Sequence, residues 1–181
     1  MKELTEFETT IGITFQNREL LQQVFVHRSY LNEHKSFPLD HNERLEFLGD
    51  AVLELVVTEY LYKNFPNPEG DLTNWRSALV RGEMIAQIAV RLNMNDYLHL
   101  SHGEQQSTGK SRNLILANAF EALIGAIYLE HGYDASRGFL DRELVPELER
   151  IQRDELHIDA KSRFQELIQD RLSITPTYTV L

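Results

Sequence analysis

Apolar residues recur along most of this chain at intervals of three and four, the spacing of helices with one buried face. Asn17 is placed to cap a helix carrying Leu20, Leu21, Val24 and Phe25. A loop around Pro38 separates it from a long periodic stretch, predicted as a helix over about residues 43–63. Residues 64–70 (NFPNPEG) form a turn-rich connection, after which Asp71 or Thr73 caps a helix with Leu72, Trp75 and Leu79 inward. Gly82 interrupts, and Ile85, Ile88, Ala89 and Leu92 give the next stripe. Residues 101–112 (SHGEQQSTGKSR) are polar and predicted as a loop. A helix then runs over about 113–130, apolar at Leu116, Phe120, Leu123, Ile124 and Ile127, and Gly132 ends it. A last stripe is Phe139, Leu140, Leu144 and Leu148. No strand pattern, repeat or low-complexity tract interrupts this series, so the body is predicted as an all-α domain.

The tail reads differently. Residues 151–159 are charged and weakly periodic, as a linker is. One short amphipathic helix is predicted over 161–172, with Phe164, Leu167 and Ile168, and residues 177–181 (TYTVL) have the pattern of a starting strand. One helix and half a strand cannot bury a core. The expected division is a helical domain over 1–152 and, over 153–181, a linker and the opening of a second, α+β domain.

Composition adds bounds. Of 181 residues, 42% are hydrophobic and 25% charged, ordinary proportions for a water-soluble fold. The absence of cysteine excludes disulfides and thiolate metal sites. The start is polar and acidic, unlike a signal peptide, and no apolar run has the length of a membrane span. A cytoplasmic protein with no membrane partner is therefore expected. The net charge of −10 argues against nucleic acid if spread evenly. It fits an enzyme that meets phosphodiesters through metal ions held by carboxylates.

Those carboxylates are concentrated. In residues 41–50 (HNERLEFLGD), a helix places Glu43, Glu46 and Asp50 at i, i+3 and i+7, on one face, with Leu45, Leu48, Val52 and Leu55 on the opposite, core side. Like charges on one stripe repel, and a cation between them would remove the repulsion; hard oxygen ligands suit magnesium or manganese. The plainer reading also stands, in which this is a solvated helix face and Glu43 forms a capping box with Asp40. Gly49 costs a helix about 1 kcal/mol against alanine, which points to a close approach at that position. The helix after residue 113 carries Asn118 and Glu121 at i, i+3, with Gly125 one turn on. Two such helices can offer oxygens to one centre, as helical bundles do.

Residues 41–53 (HNERLEFLGDAVL) closely resemble the signature of ribonuclease III endonuclease domains. The resemblance continues, in the family's order, through 25–30 (FVHRSY), 68–71 (PEGD), 79–81 (LVR) and 116–129 (LANAFEALIGAIYL). Residues 159–167 (DAKSRFQEL), with Pro176 and Tyr178, more weakly resemble the start of the family's double-stranded-RNA-binding domain. The resemblance implies a magnesium-dependent endoribonuclease of double-stranded RNA, with manganese as a substitute. It leaves 5′-phosphate and 3′-hydroxyl ends and acts in rRNA and mRNA processing as a homodimer. It further implies Glu46, Asp50, Glu121 and whatever occupies position 118 as metal ligands, Asp50 and Glu121 being catalytic. Glu43 and Glu69 are supporting acids, and Phe47 is a dimer contact. Lys110 and Arg112 are candidate phosphate contacts in the polar loop, and Gln165 and Glu166 candidate RNA contacts in the tail. His27 matches a family position, although a lone histidine is more often satisfied structure.

One position departs from the pattern. The family has aspartate where this chain has Asn118, and an amide oxygen can ligate magnesium but carries no charge. Weaker metal binding is expected. A different class of function stays open on this ground: a protein that binds double-stranded RNA without cutting it, or cuts it only weakly.

Overall fold

The computed structural model describes residues 3–154 and, in the tail, residues 164, 168–169, 171, 174 and 176–177. The readings made on the tail, including Gln165, Glu166, the helix over 161–172 and the strand over 177–181, lie in whole or in large part outside the described residues.

The chain opens with α1 (Leu4–Ile11), an eight-residue helix that the periodicity did not single out, burying Phe7 and Ile11. Asn17 begins α2 (Arg18–Val24) as predicted, its side-chain oxygen accepting the Leu20 amide. After α3 (Arg28–Glu33) and the Pro38 loop comes α4 (Glu43–Asn64), matching the predicted long helix. Then follow α5 (Glu69–Leu79), α6 (Gly82–Arg91) and a single 3-10 turn over Met94–Tyr97. Next are α7 (His102–Gln105), α8 (Gly109–Glu143) and α9 (Glu147–Arg153). Among the described residues no strand forms, and the only extended pairing is an isolated parallel bridge between Val26 and His99. The all-α expectation holds.

The front of α8 is the axis of the molecule. Leu116, Ala119, Phe120, Leu123, Ile124 and Ile127 are all buried, because α4, α6 and α2 pack around it. Although α8 has the length and hydropathy of a membrane span, most of that apolar stretch is buried inside the bundle. Gly132 sits at φ 79°, a conformation that glycine adopts without a steric penalty, and it breaks α8 where the sequence predicted an end. The part beyond it buries Phe139 and Leu140.

Several expectations are corrected. The buried stripe of α4 is Leu45, Gly49, Val52, Leu53, Val56, Val57 and Leu61, whereas Leu55 is 57% exposed and Leu48 only partly covered. At 3.6 residues per turn the stripe is turned by roughly a quarter circle toward the acidic face. Packing on α8, rather than the densest leucine pattern, sets that rotation. No capping box forms at the start of α4: the residue at the N-cap is Asn42, whose side chain is engaged elsewhere. Helix α5 starts at Pro68–Glu69, before Asp71 and Thr73, because proline suits a helix start. Thr73 instead donates from within the helix to Glu69 Oε1 at 2.8 Å. The predicted loop over 101–112 contains α7 and the first turn of α8. Ile151, read as the first linker residue, is fully buried in α9.

Candidate active site

Helices α4 and α8 cross with their backbones in contact, and two glycines make this possible. A Cβ on Gly49 would lie 1.7 Å from the Glu121 carbonyl oxygen, and one on Gly125 would lie 2.3 Å from the Leu45 carbonyl oxygen. No side chain fits at either position without separating the helices. The closeness expected of Gly49 and Gly125 from the sequence is thus the feature that brings the two acidic segments together. Glu46 and Asp50 flank Gly49 on one helix; Asn118 and Glu121 stand within two turns of Gly125 on the other.

The electrostatics follow from that crossing. Glu121 is partly buried, and its carboxyl is pushed up to about 7, first by loss of water and then by the Asp50 and Glu46 charges. Burial also raises Glu46, with the Glu43 and Asp50 charges acting the same way. A side-chain hydrogen bond from Asn118 opposes the rise by favouring the ionised form of Glu46. Glu46, Asp50, Glu121 and Asn118 are therefore one coupled group.

Glu43 lies at its edge, 46% exposed, 3.7 Å from Arg28 Nη1 and 3.6 Å from His41 Nδ1. Glu69 stands on a different element, at the first turn of α5, on the rim of a groove of about 800 Å³ that Tyr62, Phe65 and Leu72 also line. The Phe47 ring is 82% exposed, on the face of α4 away from the core.

The two candidate cations part company. Lys110 is exposed in the first turn of α8. Arg112 is half-buried and spends its guanidinium on the chain itself, donating to the Glu104, Gln105 and Ser107 carbonyls and so tying α7 to α8. His27 caps α3, accepting the Ser29 amide and bonding the Ser29 hydroxyl at 2.8 Å, and burial lowers its pKa.

The buried polar residues Glu8, Asn42, His99 and Ser136 had no role predicted from the sequence, and the first two hold main-chain groups. Glu8, 6% exposed, accepts the Phe15 amide at 2.7 Å and pairs with Arg18. Asn42, 3% exposed, donates its side-chain amide to the Val24 carbonyl at 2.9 Å. The signal available for Asn42 was its place directly before the acidic helix; for Glu8 there was none beyond an acidic residue between buried Phe7 and Ile11.

Among the described residues no three carboxylate or imidazole groups form a ready-made cage for a metal. The donor set nonetheless suits a hard divalent cation. It consists of oxygen donors on two rigid helices, among them three carboxylates, of which Glu121 is driven toward neutrality first by burial and then by the charges of the other two.

Comparison with known proteins identifies relatives of the whole fold. The model of a ribonuclease-III-like domain matches residues 17–148. Ribonuclease 3 of Dehalococcoides mccartyi is 44% identical over the whole of this chain and 77% of its own length. That of Chloroflexus aurantiacus is 46% identical over 98% of this chain and 73% of its own. Among solved structures, the nuclease domain of ribonuclease III from Campylobacter jejuni superposes with a TM-score of 0.72 at 39% identity, covering 80% of this chain and 97% of that one. It is described as having structural flexibility in a region involved in dimer formation. A family matched across most of the chain, relatives of more than 40% identity along its length and a shared nuclease-domain fold leave one assignment: this chain belongs to the ribonuclease III family of endoribonucleases.

Proposed function

We propose that this chain hydrolyses phosphodiester bonds in double-stranded RNA with magnesium, leaving 5′-phosphate and 3′-hydroxyl ends. The observation that carries the reading is the meeting of Glu46, Asp50, Glu121 and Asn118 at the glycine crossing, with Glu121 pushed up to about 7. The three carboxylates and the Asn118 amide would hold the cation, with manganese able to replace magnesium. Once bound, it supplies an acidified water and stabilises charge on the phosphate.

The chain's own part is positional and protonic. The backbone contact at Gly49 and Gly125 sets the helix segment of Asp50 against that of Glu121. Asp50 and Glu121 face each other across the crossing closely enough for charge coupling. Near neutrality Glu121 takes up and releases a proton readily, which suits a group beside a reacting phosphate. Glu43 and Glu69 support from the rim.

Recognition is by the shape of the A-form duplex, whose shallow minor groove shows its 2′-hydroxyls. Of the two candidate cations in this loop, Lys110 is the exposed one and approaches a phosphate, while Arg112 shapes the loop that presents it. The exposed Phe47 ring is a dimer contact, and the working unit is a homodimer. The domain over 1–152 carries the chemistry, and 153–181 opens an RNA-binding domain in which Gln165 and Glu166 touch the duplex. The setting is cytoplasmic processing of rRNA and mRNA.

The test is cleavage of a long RNA duplex at low salt across a magnesium titration, with Glu121→Gln beside it. Cuts that need magnesium and vanish in the variant are expected. Duplex left intact at every magnesium concentration would overturn the nuclease reading and favour the second one, a protein that binds duplex without cutting it.

Asn118 is the observation behind that second reading, since it donates a hydrogen bond to Glu46 where the family's aspartate would add a charge. Asn118→Asp is expected to lower the magnesium midpoint of cleavage about tenfold, the worth of roughly 1.4 kcal/mol of added charge attraction. An unchanged midpoint would show that the amide costs the site nothing.

A further inference from the structure

The last carbonyls of a helix have no partner within it, and where they are buried they must find one elsewhere. Val24, Phe25 and Val26, at the end of α2, are fully buried. Their carbonyls are all taken. The His99 amide donates to Phe25 at 2.8 Å, the Asn42 backbone amide to Val26 at 2.9 Å, and the Asn42 side-chain amide to Val24 at 2.9 Å. Two of the three partners thus come from one residue. The Asn42 carbonyl in turn accepts the Glu46 amide at 2.9 Å, at the first turn of α4. Gln23 adds a lesser tie, donating to the His41 carbonyl at 3.3 Å.

An asparagine in this place ordinarily turns its side-chain oxygen onto the helix it precedes. Asn42 makes no such bond and reaches back to α2. Near its start, helix α4 is consequently held at two places. One is the backbone contact of Leu45 and Gly49 with Gly125 and Glu121; the other is Asn42 on α2. Glu43 follows Asn42 directly and stands between the two holds; Glu46 comes just after Leu45 and is tied to Asn42 by its own amide.

We propose that Asn42 is a positioning residue for the carboxylates of the active site: its two-donor grip on the end of α2 sets where the first turn of α4, with Glu43 and Glu46, stands against Glu121. This rests on the metal-dependent reading of the site above. A residue that supports metal ligands in this way typically changes metal affinity by about tenfold or more when removed. Asp50 and Glu121, pinned by the glycine contact, are not displaced by its loss.

Manganese binding to the RNA-free protein, read from the electron paramagnetic resonance of free Mn2+, tests the inference without calling on catalysis. Asn42→Ala is expected to bind manganese about tenfold more weakly than the unaltered chain. Val57→Ala, a buried α4 position away from the carboxylates, is expected to lower the melting temperature while leaving the affinity unchanged. Equal affinity in Asn42→Ala and the unaltered chain, or an equal loss in Val57→Ala, overturns the positioning role and leaves the proposed function standing. If Asn42→Ala does not fold, Gln23→Ala decides: a weakened affinity supports the grip, and an unchanged one overturns it. No manganese binding by the unaltered chain overturns the metal reading and this inference with it.

Discussion

Glu8, at the corner between α1 and α2, and Glu121, at the crossing of α4 and α8, are both carboxylates drawn out of water, and the chain treats them in opposite ways. Glu8 is nearly inaccessible, and the fold supplies what its charge requires: the Phe15 amide on one oxygen and the Arg18 guanidinium on the other. Glu121 meets Asp50 and Glu46, which add charge of its own sign. The first carboxylate is complete within the folded chain. The second gains no such compensation from Asp50 and Glu46, and burial together with their charge pushes its carboxyl up to about 7. Two acids drawn out of water are told apart here by what surrounds them and not by how deeply they lie.

The comparison breaks most severely at the glycine crossing, because the crossing creates the Glu121 environment. Gly49→Ala would drive a methyl group into the Glu121 carbonyl. Against a gain of about 1 kcal/mol in helix propensity, the forced separation of two packed backbones is expected to cost roughly 3 kcal/mol or more. Urea unfolding measures it, with Gly103→Ala, where a Cβ meets nothing within 4 Å, as the control. Equal stability of Gly49→Ala and the unaltered chain would mean that the helices are free to move apart, and the site would lose its explanation.

A paired substitution sharpens the contrast at the acids themselves. Glu8→Gln removes a charged acceptor from satisfied partners and is expected to lose about 2 kcal/mol of stability with cleavage per folded molecule unchanged. Glu121→Gln is expected to do the reverse, melting at a higher temperature than the unaltered chain in metal-free buffer at pH 8 while losing cleavage. Melting curves and single-turnover cleavage on the same preparations read both. If Glu121→Gln melts lower in metal-free buffer, the account of Glu121 as a carboxyl disfavoured in its charged form by burial and like charge is wrong.

What was legible in the sequence was what repeats or what is chemically scarce. The three-and-four spacing located α2, α4, α6 and both parts of α8, and Gly132 marked the break between those parts. The carboxylates of 43–50 stood out because like charges at helical spacing are unfavourable, Asn118 and Glu121 stood out as a polar pair on an otherwise apolar helix, and Gly49 and Gly125 foretold close approaches at both segments. Orientation was not legible. Leu55 continues the leucine pattern yet faces water, because the face that α4 buries is chosen by α8, some sixty residues away. Nor were the roles of Arg112 and Asn42, whose partners are main-chain carbonyls and so leave no trace in side-chain identity. Helix α1 was passed over because eight residues hold too few apolar positions to establish a period.

The smallest expected effect is the one that reads the comparison most directly. In the unfolded chain Glu121 has its ordinary value near 4.5, and in the fold it is pushed up to about 7. A carboxyl that holds its proton more tightly when folded contributes stability below the lower value, and loses that contribution as pH rises through the higher one. Metal-free protein should therefore lose melting temperature relative to Glu121→Gln between about pH 4.5 and 7, and hold a constant difference above that window. Glu46 is raised as well, but it is present in both proteins and so slopes both melting curves in the same direction without entering their difference. A divalent cation competes with the proton for the same oxygens, so the stabilisation it brings should grow across the same window, reversing the sign of the slope. Melting temperatures of the unaltered chain and Glu121→Gln, taken from pH 4.5 to 8.5 with and without manganese, separate the two trends. Curves that run parallel in both conditions would show that Glu121 is as fully satisfied by its surroundings as Glu8 is, and the distinction between the two acids would collapse.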